Sequence, residues 1–483
     1  MNRSRRVKIL ATLGPASNTQ EMIRDLVLAG ADVFRINMSH ASHDVMRDTI
    51  KMIRNVEAEL GYPIGILADI QGPKHRLGAF ENGEIDVSVG HEIILDSDPT
   101  PGNEKRIHLP HPDILEAMQP GHRLLVNDGK VQLQVKETGD GWAKAVVLSG
   151  TWLADRKGVN LPDSELKSGA LTEKDHKDLR AVLEEDIDWV ALSFIQRPED
   201  IAEARKICQG KVGILAKIEK PQAVQRLDEI IELSDAIMVA RGDLGVEMPL
   251  EQVPSIQKKM VRKCRAAGRP VVVATQMLES MISSPVPTRA EVSDVANAVY
   301  EGADAIMLSA ESAAGDYPLE AVKTMDSIAF AIETDKGYLS TIAAQRPEPE
   351  PTGADAISFA AAEIAHTLDL SAIVCFTASG STGLRAARVR PEKPILALSP
   401  VPETARRLAL IWGTRCVITP DAKDLDDMVD KACRIAHREG LAKAGDRIIV
   451  SAGVPLRTPG STNMLRLAYI GSDGKGSVYK AGG

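Results

Sequence analysis

The sequence predicts an α/β protein: a (β/α)8 barrel with an inserted β-rich lid domain and a C-terminal open-sheet α/β domain. The chain has 483 residues, which suggests about three domains at roughly 150 residues each. Eight short aliphatic runs alternate with helix-like segments, as in a closed parallel barrel. Aromatic residues make up only 3% of the chain. The core must therefore consist mainly of Val, Ile, Leu, Ala and Met, which is typical of parallel strands buried on both faces.

The predicted barrel strands are short runs, most of them rich in β-branched residues. Helix-like segments separate most of them; residues 18–29, for example, have Asn18 or Thr19 as a cap and Gly30 as a stop. A doubly wound open sheet is the alternative, and eight repeats favour the closed barrel over it. The runs are 7–13, 32–38, 63–70, 189–194, 212–219, 236–244, 270–277 and 305–312.

The connection between the third and fourth runs is far too long for one helix. A Thr-x-x-Asp pattern opens a predicted helix over 172–185, which leaves an insertion over 72–167. Alternating residues and Gly-containing turns predict that it is β-rich. Because it follows the carboxyl end of a barrel strand, we expect it to cover the active face as a lid. The predicted strands are 85–89, 92–95, 123–126, 131–135 and 143–148.

A third domain follows a Pro-rich linker, RPEPEP, at 346–351. Runs at 373–377, 395–399, 416–419 and 447–451, separated by helices, predict an open α/β sheet. We therefore assign residues 1–71 and 168–344 to the barrel, residues 72–167 to a β-barrel-like lid and residues 352–474 to a C-terminal α/β domain.

Composition and charge exclude several classes of protein. The net charge of −9 and the few aromatic residues argue against nucleic-acid binding, which needs a basic groove and stacking platforms. No apolar run approaches the ~18 residues of a membrane helix, and the N-terminal apolar stretch is too short for a signal peptide. Five cysteines without CxxC spacing predict reduced, buried thiols in a cytoplasmic protein. The ten histidines show no metal-ligand spacing.

Polar and charged side chains follow nearly every predicted barrel strand, where barrel enzymes place their catalytic groups. Glu219 and Asp243 are hard oxygen donors suited to Mg²⁺. Arg35, Lys217 and Arg241 are cations that could clamp a phosphate during its transfer. The pattern therefore predicts phosphoryl transfer. The other polar residues at these strand ends are Asn37, Ser39, Asp69, Ser193, Gly242, Thr275, Gln276, Ser309 and Glu311.

Three other interpretations stay open on the residues alone. Lys217 with Glu219, and Arg241 with Asp243, could be structural salt bridges. A Mg²⁺-dependent aldolase would also use Glu, Asp and Arg around a pyruvate enolate, but it would not need so large a lid. A non-catalytic metabolite sensor would not need charges at every strand end.

Long motifs closely resemble the pyruvate kinase family. They are Lys217-Ile-Glu219, MVARGDLGVEMP at 238–249, the block 274–318, FRINMSH at 34–40 and KGVNLP at 157–162. The resemblance implies transfer of the phosphoryl group of phosphoenolpyruvate to ADP, giving ATP and, after protonation of the enolate, pyruvate. It also implies a C-terminal regulatory domain and a homotetramer.

The resemblance implies a role for each matching residue. Glu219 and Asp243 match the Mg²⁺ ligands, for which Mn²⁺ is an alternative ion. Lys217 matches the lysine that stabilises the phosphoryl group, and Arg35 matches the arginine on the substrate phosphate. Gly242, Asp243 and Thr275 match the substrate carboxylate site, and Ser309 with Thr275 matches a proton relay. The contacts to ADP or ATP are matched by Arg76, Lys157 and Asn37.

One departure from the family concerns potassium. Members that require potassium bind it through residues matching Asn37, Ser39 and Asp69, and they carry Glu where this chain has Lys74. A lysine ammonium could supply the missing positive charge, so we expect activity without potassium and only a vestigial cation site. Lys74 as a solvated lid residue is the alternative.

A second departure concerns the regulatory domain. Thr377, Ser379, Gly380, Ser381 and Thr382 follow a strand and precede a helix, an arrangement in which backbone N–H groups can bind phosphate. The segment resembles the family's activator loop. The lysine common in fructose-bisphosphate-sensing members is Ala378 here, so we expect a sugar monophosphate or AMP as the effector.

Overall fold

The computed structural model describes residues 3–455 and 462–477. In this part of the chain no helix has both the length and the apolar character needed to span a membrane. The chain starts with three βα units of a barrel. The hydroxyl of Thr19 accepts a hydrogen bond from Met22 N–H and caps the first helix, which Gly30 ends, as predicted. These elements are β1 (Lys8–Leu13), α1 (Gln20–Ala29), β2 (Val33–Asn37), α2 (His43–Leu60) and β3 (Gly65–Ile70).

The inserted segment leaves the barrel after β3 and is β-rich, as predicted. It forms a six-stranded sheet in the order β11-β7-β8-β9-β5-β6 and a two-stranded sheet of β4 and β10. The elements are β4 (Glu84–Asp86), β5 (Glu92–Asp96), β6 (Arg106–His108), α3 (Pro112–Ala117), β7 (Arg123–Val126), β8 (Val131–Gly139), β9 (Trp142–Ser149), β10 (Trp152–Ala154) and β11 (Val159–Asn160).

The barrel then resumes with five further strands. Thr172 and Asp175 form the predicted capping box at the start of the returning helix. The elements are α4 (Glu173–Val182), β12 (Trp189–Leu192), α5 (Pro198–Cys208), β13 (Gly213–Ile218), α6 (Pro221–Gln225), α7 (Leu227–Leu233), β14 (Ala236–Ala240), α8 (Arg241–Glu247), α9 (Val253–Ala266), β15 (Val271–Ala274), α10 (Arg289–Tyr300), β16 (Ala305–Leu308), α11 (Ala310–Ala313), α12 (Pro318–Glu333) and α13 (Lys336–Ala344).

All eight strands pair in parallel, and β16 pairs with β1 to close the barrel. The predicted closed barrel is therefore confirmed, and the open-sheet alternative is wrong. The strands are shorter than the apolar runs that predicted them. β14 ends at Ala240, for example, and Arg241 already begins α8. Some candidate site residues therefore lie at the carboxyl ends of the strands, and others lie in the segments that directly follow the strands.

The C-terminal domain is the predicted open α/β sheet. Its strand order is β19-β18-β17-β20-β21-β22, in which the first four strands are parallel and the last two antiparallel. The antiparallel strands were not predicted. The elements are α14 (Gly353–Thr367), β17 (Ala372–Phe376), α15 (Ser381–Arg388), β18 (Ile395–Ser399), α16 (Pro402–Leu408), β19 (Thr414–Ile418), α17 (Leu425–Arg438), β20 (Arg447–Gly453), β21 (Thr462–Ile470) and β22 (Gly476–Ser477).

The C-terminal domain packs against the amino-terminal ends of the barrel strands. Leu67 and Met238 from the barrel interior share one apolar cluster with Ile373 and Ile411. The opposite, carboxyl ends of the strands are therefore left to the inserted domain, and this is where the predicted site lies.

Candidate active site

Four ionisable side chains meet at the carboxyl ends of β2, β3 and β13. The Nε and Nη2 atoms of Arg35 both lie 2.7 Å from Oδ2 of Asp69. The ammonium of Lys217 lies 3.4 Å from the same oxygen and 2.8 Å from Oε1 of Glu219. Asp69 and Glu219 are 2% and 1% exposed, so each charge relies on its neighbours rather than on water.

The segment after β12 holds this cluster in place. The Ser193 hydroxyl accepts a hydrogen bond from Lys217 Nζ at 2.8 Å and donates to Oδ1 of Asp69 at 3.3 Å. Phe194 has φ of 57°, and its N–H donates to Oε2 of Glu219 at 2.8 Å. The left-handed backbone is uncommon for a bulky residue, and it occurs here beside the buried carboxylate that the N–H group contacts.

The electrostatics of the two carboxylates differ. Burial raises the pKa of Glu219 to about 7, and the nearby Asp243 charge acts in the same direction against the attraction of Lys217. Burial also opposes the ionisation of Asp69, but Lys217 and Arg35 overcome it and lower the pKa of this carboxyl. Glu219 and Asp243 therefore repel each other across a region that a cation could neutralise.

A strained turn follows β15. Thr275 and Gln276 both have left-handed backbones, with φ of 72° and 54°. The value at Thr275 is a genuine outlier, because Thr is β-branched. The Thr275 hydroxyl accepts a hydrogen bond from the N–H of Gly242 at 2.7 Å and donates to the carbonyl of Ala274 at 2.6 Å. Strain of this kind is concentrated at functional sites, and here it joins two residues of the predicted carboxylate site.

Arg241 is not the phosphate clamp that we predicted. Its guanidinium pairs with Asp294 at 2.7 Å and donates to the carbonyls of Ala274 and Thr275 at 3.2 and 2.7 Å. Arg241 therefore supports the strained turn from behind. The alternative that Arg241 forms a structural salt bridge with Asp243 is also wrong, because Arg241 pairs with Asp294 and because α8, not a strand, begins at Arg241.

Ser309 precedes α11 at the end of β16. Its N–H donates to Oε2 of Glu311 at 2.7 Å, and Oε1 of Glu311 accepts from the N–H of Leu278 at 3.2 Å. Glu311 is 2% exposed, and its burial raises its pKa. This carboxyl therefore links the loops that carry Ser309 and Thr275.

The predicted nucleotide contacts Arg76 and Lys157 lie on the two chain segments that connect the barrel to the inserted domain. Arg76 forms an isolated β-bridge with Gly158, the neighbour of Lys157. The guanidinium of Arg76 donates to the carbonyl of Arg156 at 2.8 Å, and the Lys157 ammonium lies 5.5 Å from the centre of the Trp152 ring. The fold thus pairs the two chain segments that carry these cations at the hinge.

The residues of the predicted cation site lie around the cluster. Asn37 ends β2, and its Oδ1 accepts a hydrogen bond from the N–H of Ser39, which is exposed, at 3.1 Å. Lys74 is exposed in the loop that follows β3. Asp69, the third residue of the predicted cation site, forms ion pairs with Arg35 and Lys217.

The predicted effector loop follows β17 and opens α15. Gly380 has φ of 88°, and its N–H donates to Oγ1 of Thr377 at 2.8 Å. The hydroxyls of Ser379 and Ser381 lie 3.2 Å apart. Thr382 is buried, with its hydroxyl 2.8 Å from that of Thr462 on β21.

Comparisons with known proteins decide the family. The family model described as "Pyruvate kinase, barrel domain" matches residues 4–322. A second family model, described as "Pyruvate kinase, alpha/beta domain", matches residues 355–468. The chain belongs to the pyruvate kinase family. A relative named "Pyruvate kinase" from Methylorubrum extorquens is 58% identical over 470 residues, or 97% of this chain and 98% of the relative. One from Agrobacterium vitis is 47% identical over 97% of this chain and 99% of the relative.

The fold is also similar to that of a solved structure from this family. The crystal structure of a pyruvate kinase from Cryptosporidium parvum superposes with a TM-score of 0.91 at 33% identity, covering 96% of each chain. The identification from sequence motifs is confirmed, and so is the prediction of a kinase. Membership in this family implies a glycolytic transferase that binds a nucleotide and Mg²⁺. It sets aside the aldolase and sensor interpretations.

Three contacts of the site could not be predicted from the sequence. The Thr12 hydroxyl on β1 accepts a hydrogen bond from Arg35 Nη1 at 3.2 Å. Glu247, at the end of α8, accepts from Asn160 of the inserted domain at 2.9 Å and from Lys220 at 2.7 Å. The motifs at 157–162 and 238–249 contained two of these residues, but neither motif indicates that they touch.

Proposed function

We propose that the chain transfers the phosphoryl group of phosphoenolpyruvate to ADP at the cluster of Arg35, Asp69, Lys217 and Glu219. The observation that carries the proposal is the buried Lys217 ammonium, held between two carboxylates and the Ser193 hydroxyl. Such a preorganised cation stabilises the charge that spreads over the equatorial oxygens of a phosphoryl group in transfer. Arg35, fixed on Asp69 and Thr12, holds the same group from the side of β2.

Glu219 and Asp243 suit a Mg²⁺ ion. Oε1 of Glu219 is buried and accepts no well-directed hydrogen bond, although the Lys217 ammonium is near. Carboxylate oxygens are the ligands that Mg²⁺ prefers. Burial, and after it the nearby charge of Asp243, raises the pKa of Glu219, and a cation bound there would favour the ionised carboxylate. Bound there, Mg²⁺ would neutralise negative charge on substrate oxygens.

The remaining site residues bind the substrate and move the proton. The N–H of Gly242 and the hydroxyl of Thr275, which now form hydrogen bonds to Thr275 Oγ1 and to the Ala274 carbonyl, would exchange these contacts for the carboxylate of phosphoenolpyruvate and hold the enolate after transfer. We assign the delivery of the proton to Thr275 and Ser309, which lie on two loops whose backbone N–H groups both donate to Glu311. Arg76 and Lys157 bind ADP at the hinge of the inserted domain, which excludes water as a competing acceptor.

The direct test is release of pyruvate from phosphoenolpyruvate and ADP with Mg²⁺, in the native protein and in Lys217→Met. Loss of one charge-stabilising group should lower kcat by about 100-fold or more. Lys211→Met, an exposed lysine before the same strand, is the matched control and should keep full activity. An inactive native protein, or a Lys217→Met variant as fast as the control, would refute the assignment.

We also propose that activity does not depend on potassium, because Lys74 supplies the charge that the ion brings elsewhere. The exposed Lys74 side chain lies in the loop that follows β3, the strand that carries Asp69. Replacing potassium by tetramethylammonium at fixed ionic strength should leave kcat within about twofold, and Lys74→Glu should make kcat dependent on potassium. Lys105→Glu, on the exposed surface of the inserted domain, controls for charge reversal. A native enzyme that stops without potassium would contradict the proposal.

We propose that a phosphorylated effector, a sugar monophosphate or AMP, binds at Thr377, Ser379, Gly380 and Ser381 and activates the enzyme. Support comes from the left-handed Gly380 at the start of α15 and from the exposed Ser379 beside it. Glucose 6-phosphate, ribose 5-phosphate and AMP should be titrated against the phosphoenolpyruvate saturation curve. Ser379→Asp should abolish the shift in half-saturation by repelling phosphate, whereas Ser472→Asp, exposed in the same domain, should not. No shift with any compound would refute the proposal.

We propose a homotetramer in the cytoplasm as the working form. Leu28 on α1 and Phe330 on α12 are large apolar side chains that stay 54% and 41% exposed on two adjacent helices, as expected of a surface that another subunit covers. The five cysteines are free and buried, which suits a reducing compartment. Light scattering coupled to gel filtration should give four times the 52.0 kDa chain mass, and a monomer would contradict the assembly.

A further inference from the structure

Two histidines and an aspartate that are distant in sequence meet at the hinge of the inserted domain. His75 lies in the chain segment that leaves β3, while His111 and Asp113 lie at the start of α3. One candidate ligand atom from each of the three residues lies within 4.8 Å of the others. The two imidazole rings are edge to face, with centres 4.8 Å apart and planes at 83°. All three residues are half-buried.

We call these three residues the His75–His111–Asp113 cluster. Hydrogen bonds to neighbouring residues orient the side chains of His111 and Asp113. Nε2 of His111 lies 3.1 Å from the carbonyl oxygen and 3.0 Å from the backbone nitrogen of Arg76, which leaves Nδ1 free. The hydroxyl of Ser168 donates to Oδ2 of Asp113 at 2.9 Å, which leaves Oδ1 free. Ligating histidines and carboxylates in metal sites are held by outer hydrogen bonds of this kind.

We propose that His75, His111 and Asp113 form a binding site for a divalent transition-metal ion such as Zn²⁺, separate from the Mg²⁺ site. Two imidazoles and one carboxylate are a ligand set that zinc accepts with water in the fourth position. Mg²⁺ prefers oxygen ligands only, so the two sites differ in the metal they select.

The present spacing is close to what this ligand set needs. Tetrahedral zinc with bonds of about 2.0–2.1 Å needs ligand atoms about 3.3 Å apart. The three candidate ligand atoms already lie within 4.8 Å of one another, so binding would draw them together by up to about 1.5 Å.

A metal at this position would join three parts of the hinge. His75 belongs to the outgoing segment, His111 and Asp113 to the inserted domain, and Ser168 to the segment that returns to the barrel. A bound ion would therefore restrict the motion of the inserted domain relative to the barrel. Arg76, the neighbour of His75, would be held with it.

Zinc binding to the untagged protein tests the proposal, with several millimolar Mg²⁺ present to occupy Glu219 and Asp243. Competition with a chromogenic zinc chelator should give one site per chain. His75→Gln, His111→Gln and Asp113→Asn should each weaken zinc binding at least tenfold. His91→Gln, in the inserted domain but outside the cluster, should bind zinc as the native protein does.

Hydrogen exchange supplies the second measurement. Zinc should slow amide exchange over 74–78 and 111–117 in the native protein and leave it unchanged in His75→Gln. The His75 variant is decisive because no described residue forms a hydrogen bond with its imidazole, so the fold does not rely on it. Equal zinc affinity in the native protein and His75→Gln overturns the proposal. So does a site that Glu219→Gln removes and His75→Gln does not.

Discussion

At the scale of single residues, Lys217, the cation of the proposed active site, is held by a hydroxyl as well as by charge. Lys217 donates to Ser193, and Ser193 donates in turn to Asp69. The hydroxyl thus fixes the ammonium between its two carboxylates. Without it, Lys217 keeps its charge but loses one of the contacts that set its direction, and a misplaced cation stabilises the transition state less well.

We therefore predict that Ser193→Ala lowers kcat about tenfold, because a hydrogen bond to a charged group contributes roughly 1.5 kcal/mol. The KM for ADP should change little, since Ser193 lies at the barrel cluster and not at the hinge. Steady-state kinetics with both substrates varied measures the two effects. Ser255→Ala, an exposed serine on α9, should behave as the native enzyme, and an equal kcat in the two variants would show that Ser193 has no positioning role.

A second residue, Asp32, makes stability depend on pH at the opposite end of the barrel. Its carboxylate is 0% exposed, pairs with Arg5 at 2.8 Å and accepts the N–H of Ile9 at 2.9 Å. Burial opposes its ionisation, but Arg5 and Arg3 dominate and lower its pKa to about 2. The charged form is therefore the one that the fold stabilises.

We predict that Asp32→Asn lowers the free energy of unfolding by roughly 3 kcal/mol at pH 7, as expected when a buried ion pair loses one partner. A depressed folded pKa gives stability that is present above the unfolded value of 3.8 and is lost as the pH falls through about 2. The difference between native and variant proteins should thus shrink between pH 4 and pH 2. Urea unfolding across this range measures it. Asp44→Asn, on an exposed carboxylate, should show a small and constant difference.

Residue identities at the site could be predicted where strand alternation controls them. Arg35, Lys217 and Glu219 follow from period-two spacing at the ends of buried runs. Thr12 could not be predicted as a contact of Arg35, since the two meet only through the register of β1 and β2. Arg241 was assigned wrongly because the predicted strand run 236–244 extended past Ala240, whereas the chain turns into α8 at Arg241.

At the scale of elements, α8 connects the barrel to the inserted domain. The helix starts with Arg241, Gly242 and Asp243 and ends at Glu247, whose Oε1 accepts from Asn160 of β11 at 2.9 Å. The same oxygen accepts from Lys220 at 2.7 Å. The last strand of the inserted domain is thus hydrogen-bonded directly to the helix that carries Gly242 and Asp243 of the proposed carboxylate site.

We predict that Asn160→Ala lowers kcat/KM for ADP about tenfold, because it removes a hydrogen bond to a buried charge worth about 1.5 kcal/mol. The KM for phosphoenolpyruvate should rise less, and amide exchange at 159–160 should become faster. Asn103→Ala removes a hydrogen bond to Glu81 within the inserted domain and serves as the control. If both variants lose the same amount of activity, α8 does not couple the inserted domain to the site.

Elements themselves could be predicted as far as local chemistry determines them. Caps at Thr19 and Thr172 predicted α1 and α4, and the eight aliphatic runs predicted the barrel. The ends of the strands could not be predicted, since a strand stops where its neighbours no longer offer backbone partners. The His75–His111–Asp113 cluster was likewise invisible, because 36 residues separate the two histidines.

At the scale of the whole molecule, α15 spans the distance from the effector loop to the barrel. It begins at Ser381, next to Gly380, and ends at Arg388, whose guanidinium donates to the carbonyl of Ala266 at 2.8 Å. Two residues later, Arg390 pairs with Asp304 at 2.9 Å. Asp304 directly precedes β16, and the other end of β16 leads to Ser309. One helix and one strand thus separate the proposed effector site from the proposed proton route.

Arg390 is the point at which these two elements meet. Its guanidinium also donates to the carbonyl of Gly302 at 3.0 Å and lies 4.8 Å from the centre of the Trp412 ring. Asp304 accepts further hydrogen bonds from the N–H groups of Trp412 and Val271. Removing the arginine leaves a buried carboxylate without its counterion, which costs roughly 3–5 kcal/mol, and it cuts the link between the domains.

We therefore predict that Arg390→Met lowers the thermal transition by about 3–5 °C and separates the unfolding of the C-terminal domain from that of the barrel. Any effector-induced shift in the half-saturation for phosphoenolpyruvate should fall to less than half of its native size, while activity at saturating substrate persists. Calorimetry and effector titration measure the two effects. Lys393→Met removes an exposed ion pair with Asp369, a contact worth little, and should leave both unchanged. If Arg390→Met keeps the native thermal transition and the full effector response, α15 does not transmit the effector signal to the barrel. Coupling between the two domains must then pass through the contacts of Arg406 with Glu57 and Asp186.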